Sequence, residues 1–150
     1  MTHQNAAMLR RYVEAQLAGD AATALATYAE DMIMHVAGRS PHAGTYHGPD
    51  GYLDFVTRVH QDTDGAVEIL EIHDILGTDD HAVLLVRERF SRNGRSVETN
   101  RVVVYELRDE RIVEIWTYDS DQYAYDELFA DVEPVRPRAA AADPDPGPER

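Results

Sequence analysis

The sequence predicts an α+β fold in which three N-terminal helices pack on a curved, mixed but mainly antiparallel β-sheet. Three observations carry this. Apolar residues recur at helical spacing through the first third of the chain, and from Val67 onward alternation with period two replaces that spacing. Asn93-Gly94, a strong hairpin signal, divides the second region.

The elements follow in order. "QNAAMLRRYVEAQLAGD" sets Met8, Leu9, Tyr12, Val13 and Leu17 on one helical face, with Gly19 as a stop. Asp20 suits the N-cap of a second helix, "AATALATYAED", with Leu25 and Tyr28 turned inward. "MIMHV" reads as a short strand entering the loop "HVAGRSPHAGTYHG". After Gly48, "PDGYLDFVTRVHQ" is a third helix, with Pro49 in its first turn and Tyr52, Phe55, Val56 and Val59 on its apolar face. Four strands remain: "VEILEIHDIL", "HAVLLVRERFSR", "RSVETNRVVVYELRD" and "RIVEIWTYD".

A two-residue turn at Asn93-Gly94 opposes Arg92 to Arg95, Glu88 to Thr99 and Val86 to Arg101. One face then holds Leu84, Val86, Glu88, Phe90, Val97, Thr99, Arg101, Val103 and Tyr105, and its bulk marks it as the face that meets the helices. A similar turn at Asp109-Glu110 opposes Val103 to Trp116 and Arg101 to Tyr118, unless a bulge shifts the register by one. Val83, Leu85, Val102, Val104 and Ile115 make the other face apolar at one end, which suggests a homodimer through the sheet.

At 150 residues the chain suits one domain, residues 1–132, followed by a Pro-, Ala- and Asp-rich tail, 133–150, expected to be disordered. Cysteine and lysine are both absent, which removes disulfides, thiolate ligands, thiolate nucleophiles and Schiff-base chemistry. A net charge of −14 and no visible basic face argue against nucleic acid. No apolar run is long enough to span a membrane and the N-terminus lacks signal-peptide features, so a cytoplasmic protein is expected.

"AGDAATALATYAEDMIMHVAGRSPHAGTYHGPDGYLDFV", with strands ending "RIVEIWTYDSDQYAYDELFA", resembles the nuclear transport factor 2-like superfamily, and within it the SnoaL-like group related to ketosteroid isomerase. The resemblance implies a cone-shaped α+β fold, usually dimeric, with a pocket between the helices and the concave sheet. It implies no single chemistry, since isomerases, polyketide cyclases, epoxide hydrolases, dehydratases and non-enzymes share that fold. Ketosteroid isomerases place a carboxylate base on the early strand, where His35 falls here, and use a tyrosine with a protonated aspartic acid as an oxyanion hole. The acid's position falls near Arg101 or Val102, which does not suit that mechanism. Limonene-epoxide-hydrolase relatives carry an arginine and an aspartate two apart on one strand, and Arg101 is instead followed at that spacing by Val103. In polyketide cyclases an aspartate soon after a tryptophan near the last strand is catalytic, and "WTYDSD" offers Asp119 or Asp121.

The candidate site follows. His35 sits at the exit of a strand, and imidazole is the side chain whose ordinary chemistry suits proton exchange near neutrality. Asp121, or Asp119 in its place, can act as general acid or base, although Asp121 also fits a helix N-cap before "QYAYDEL". Arg101 paired with Glu88 can polarise a carbonyl, because charges on an inward face are costly unless paired or used. Tyr12, Tyr46, Phe55, Trp116 and Tyr118 suit the lining. His42 and His47 are placed at the mouth, partly in water, and no metal site or cofactor is expected. These residues point to a SnoaL-like enzyme using cofactor-free acid–base catalysis for isomerisation, cyclisation or dehydration of a small apolar metabolite such as a polyketide. The alternative is a dimer that binds a ligand without turnover.

Overall fold

A computed structural model describes residues 3–65 and 67–133 of the chain, so the tail expected to be disordered lies outside the described residues from 134 onward. The order is α1 (Gln4–Leu17), α2 (Ala21–Ala26), β1 (Tyr28–Val36), β2 (Gly44–His47), α3 (Gly48–Asp62), β3 (Glu68–Gly77), β4 (His81–Arg92), β5 (Arg95–Arg108), β6 (Arg111–Asp119) and α4 (Gln122–Leu128). The α+β architecture and the three leading helices are as the periodicity predicts. Among the described residues no helix is long and apolar enough to cross a membrane.

Two boundaries differ from the sequence reading. Asp20 caps α2 as expected, its carboxylate accepting from the Thr23 N–H at 3.1 Å. That helix stops at Ala26, however, and Tyr28 opens β1 opposite Ile112. Pairing with β6 captures a segment whose own helical spacing is only two turns long. The expected loop also contains β2, which folds back on β1 with Tyr46 opposite Met34. Four residues are too few for alternation to reveal an edge strand.

All six strands form one mixed sheet in the order β2-β1-β6-β5-β4-β3, with β1 and β6 parallel and the other neighbours antiparallel. The β4–β5 register is the one Asn93-Gly94 dictates: Arg92 faces Arg95, Glu88 faces Thr99 and Val86 faces Arg101. Asn93 and Gly94 both have positive φ, 52° and 76°, as a type I′ turn needs.

The β5–β6 register departs from the simple reading. Asp109 and Glu110 do form a two-residue turn with φ of 52° and 61°, and Leu107 faces Ile112. Beyond it Glu106 faces Glu114, leaving Val113 as an extra residue on β6. This bulge turns every later side chain to the opposite face. Arg101 therefore faces Asp119 instead of Tyr118, and Val103 faces Thr117 instead of Trp116.

The core fills the concave side. Leu9, Tyr12 and Val13 of α1 join Met32, Met34, Leu84, Val86, Val103, Ile112 and Ile115 in one buried cluster. A second cluster of Val59, Phe90, Tyr125, Leu128 and Phe129 packs α4 over one end of the sheet, and Phe55 of α3 touches both. Ile115 belongs to the core, which corrects its assignment to the outer apolar face.

Candidate functional site

The bulge at Val113 assembles the densest polar group on the concave face. Glu88 of β4, Arg101 of β5 and Asp119 of β6 come side by side from three adjacent strands. Arg101 Nε donates to Asp119 Oδ1 at 2.8 Å and Nη2 to Oδ2 at 3.1 Å, a fork-to-fork pair. Its Nη1 stands 3.2 Å from Glu88 Oε2. Thr99 donates its hydroxyl to Asp119 Oδ1 at 3.3 Å. Below the guanidinium lie the rings of Phe90 and Tyr125, their centroids 4.9 and 5.5 Å from Arg101 Cζ, in cation–π geometry. The sequence lacks an Arg–Asp pair two apart on one strand, but the sheet supplies Arg101 with carboxylates from both neighbours.

Side-chain exposure is 12% for Arg101, 15% for Glu88 and 5% for Asp119. Burial pushes the Glu88 carboxyl above its ordinary value, and the pull of Arg101 only partly opposes this. Burial works against the Arg101 charge as well, but Glu88 and Asp119 more than offset it and raise its pKa. The same buried environment thus keeps one group charged and favours the proton-bearing form of another. Because the folded protein binds the Glu88 proton more tightly than the unfolded chain, the stability Glu88 contributes falls as pH rises from the ordinary carboxylate value through its raised folded value. Glu88→Gln is therefore expected to gain stability relative to the native protein between urea melts at pH 4.5 and 7.5. A gap moving the other way would mean that Arg101 dominates Glu88 and holds its carboxyl down.

At the other end of the concave face four tyrosines meet. Tyr12 and Tyr28 share a hydrogen bond between their hydroxyls, their rings 5.6 Å apart, with Tyr105 and Tyr52 beside them at 5.9 and 4.9 Å. Burial raises the Tyr12 and Tyr105 phenols well above their ordinary values. Val36, Phe55, Ile72 and Thr117 are only half-buried between the two polar ends.

The predicted residues divide as follows. Arg101, Glu88 and Asp119 come together on the concave face, with Phe55 and Tyr12 on the same side. Tyr46 is buried behind α3, where its hydroxyl donates to the His42 carbonyl at 2.6 Å and its ring meets Phe55 edge-on. Asp121 is exposed and caps α4 by accepting from Ala124 N–H at 3.0 Å, so of the two aspartates Asp119 is the one beside Arg101. His35, Trp116 and Tyr118 lie on the opposite, convex face, which corrects their predicted place in a pocket. His35 pairs with Trp116 across β1 and β6, stacks on its ring at 5.8 Å and reaches Glu114 with Nε2 at 2.6 Å. Tyr118 is half exposed.

His42 is the residue the sequence reading misplaced most. It is fully buried, not at a wet rim. Its Nε2 lies 2.7 Å from Asp62 Oδ2 and its Nδ1 2.9 Å from the Tyr125 hydroxyl. Burial lowers its pKa against the opposing pull of Asp62. No local pattern marks this group, because Asp62 ends α3 and Tyr125 lies on α4. Among the described residues no three histidines or carboxylates converge as a metal site would require. A separate depression of about 280 Å³, lined by His3, Asn5, Asp79, Leu107, Asp109 and Glu110, includes none of the predicted site residues.

A curved six-stranded sheet with helices over its concave face and a polar group at the covered end is the cone-shaped architecture of nuclear transport factor 2-like proteins. Residues 9–115 match the family described as the SnoaL-like domain, and the chain belongs to that family. No curated protein matches the chain. Among solved structures it is similar to Bal32a from a soil-derived mobile gene cassette, 27% identical over 84% of this chain and 96% of that one, TM-score 0.77. It is also similar to an NTF2-like protein of unknown function from Burkholderia pseudomallei K96243, 22% identical over 85% and 98% of the two chains, TM-score 0.74. A third is wild-type IdmH, a putative polyketide cyclase from Streptomyces antibioticus, 22% identical over 79% and 94%, TM-score 0.62.

Proposed function

We propose that the concave face binds a small, largely apolar metabolite, polyketide-like in its ring system and oxygenation, and moves protons on it without a cofactor. The observation that carries this reading is Arg101, a buried guanidinium held between two carboxylates where apolar residues would fill a core at lower cost. Nη1 and Nη2 each bear a second N–H that a ligand carbonyl can accept, so charge developing on that oxygen is stabilised in a water-poor site. Glu88 gives and takes the proton, since its raised pKa brings it closer to the operating range of a general acid or base. Asp119 fixes the guanidinium, and Phe55, with the half-buried Val36 and Ile72, supplies apolar contact. Reaction type and ring system remain those of the family: isomerisation, cyclisation or dehydration.

The convex face is assigned to a second copy of the chain. Val83, Leu85, Val102, Val104 and Trp116 remain half-exposed on it, so a back-to-back homodimer buries them, with His35 and Tyr118 in the contact. Trp116 emission should then follow protein concentration rather than ligand.

The test is a panel of polycyclic aromatic, steroid-like, terpenoid and epoxide compounds, read by chemical-shift changes for binding and by product analysis for turnover. We expect saturable binding and conversion, with Glu88→Gln lowering turnover by about 10²–10⁴-fold while still binding. Saturable binding with every compound recovered unchanged would replace catalysis by the ligand-binding reading.

A further inference from the structure

One buried ionisable group is not used by the mechanism above. Asp62, His42 and Tyr125 form a hydrogen-bonded chain from a partly exposed carboxylate, 21% accessible, to a buried phenol under Arg101. The bonding fixes the direction of each proton. A carboxylate only accepts, so His42 Nε2 carries the N–H, and Nδ1 is left as the acceptor for the Tyr125 hydroxyl. Tyr125 therefore keeps its lone pairs for the side away from His42. Burial holds the Tyr125 phenol above its ordinary value, and the positive charge of Arg101 only partly opposes this.

A purely structural latch between α4 and the preceding loop does not need these groups. Asp126 of α4 already accepts from Arg39 N–H at 2.9 Å and Ser40 N–H at 3.1 Å. The loop is held again by Arg58, which donates to the Pro41 carbonyl at 2.5 Å. A nucleophile or base, a second base behind it and a carboxylate that orients the second is the arrangement that activates a weakly acidic hydroxyl.

We propose that Asp62, His42 and Tyr125 are a proton-transfer chain serving the Arg101 end of the site. Tyr125 is the group that meets the ligand, and His42 and Asp62 are positioning residues. The inference rests on the acid–base reading of that site. In the forward step a ligand C–H or O–H bond breaks and its proton joins the Tyr125 oxygen. The original phenol proton moves to His42 Nδ1, and the bonding pair stays on the ligand as an enolate or alkoxide beside Arg101. The imidazolium formed is stabilised by Asp62. Reversal returns a proton through Tyr125 to the same ligand atom, or Glu88 delivers its proton to another atom and regains one from solvent while the chain releases its own through Asp62, so no oxidant, reductant or co-reactant is consumed. The ligand class this selects is an enolisable carbonyl compound whose carbonyl oxygen reaches Arg101.

The experiment compares native protein, Asp62→Asn, Tyr125→Phe and the latch control Asp126→Asn on whichever panel compound is turned over. Long-range ¹H–¹⁵N spectra of the same samples read the His42 tautomer. We expect neutral, Nε2-protonated His42 in the native protein and loss of that tautomer in Asp62→Asn. We also expect kcat to fall about 10²–10⁴-fold in Asp62→Asn and Tyr125→Phe with KM unchanged, and Asp126→Asn to retain kcat. An Nδ1-protonated or charged His42 in the native protein overturns the chain directly. Activity that depends on Glu88 but not on Asp62 or Tyr125 overturns the chain and leaves the site reading standing, as does an equal loss in Asp126→Asn. Native protein that converts nothing in the panel overturns both.

Discussion

Arg101→Ala is expected to lower folding stability by about 3–5 kcal/mol in urea denaturation at neutral pH. The reason is the charge left behind more than the bond lost. Asp119 is 5% exposed in its side chain and receives two guanidinium bonds, while Glu88 already pays for its burial with a raised pKa. Removing the cation leaves both carboxyls facing an apolar end of the sheet with Phe90 and Tyr125 beneath. Arg101→Met separates charge from packing, because it keeps an unbranched stem over the two rings and should lose nearly as much stability. Adding Glu88→Gln and Asp119→Asn to Arg101→Met should recover most of the loss, since neutral amides need no cation. A cost below about 1 kcal/mol for Arg101→Ala would mean that water solvates the carboxylates freely, and the buried-site reading would fall with it.

Inserting one alanine after Val113 should be comparably severe, about 4 kcal/mol or more, although no charged group is touched. The turn at Asp109-Glu110 anchors Leu107 opposite Ile112 and Val113 already fills the one unpaired place, so an added residue shifts every later β6 residue by one position. Ile115 would leave the core, forfeiting about 1.5–3 kcal/mol of burial, and Asp119 would leave Arg101. Glu114 and Trp116 would turn inward against Met34 and Tyr105. Near-ultraviolet circular dichroism of the single tryptophan, followed through urea denaturation, reads both the change of environment and the loss. Native stability with an unchanged tryptophan signal would show that the bulge absorbs the added residue and β6 keeps its register.

That insertion marks the boundary between what was legible and what was not. The β4–β5 hairpin was legible to the residue because Asn93-Gly94 is a local signal with a fixed turn type, and alternation carried the register along to Glu88 and Arg101. Their inward position followed from the same reasoning, as did the helices, whose faces repeat every turn. The β5–β6 register failed at Val113, since a bulge in a run of β-branched and apolar residues changes no local preference. The failure exchanged Trp116 and Tyr118 for Thr117 and Asp119 at the site and sent His35, on the parallel strand beside β6, to the convex face.

The α+β class, the order of the major elements and the inward Glu88–Arg101 pair could be read from the chain alone, because they depend on periodicities and turn residues close together in it, while the SnoaL-like family came from resemblance over longer stretches. That Asp119 completes the pair, and that Asp62, His42 and Tyr125 meet, follows from the folded packing and not from any local pattern. Those contacts join the last strand, a loop, the end of one helix and a helix some 80 residues further on. They depend on a one-residue offset and on how α4 packs, which are set by the summed burial of many side chains and leave no spacing in the sequence to read.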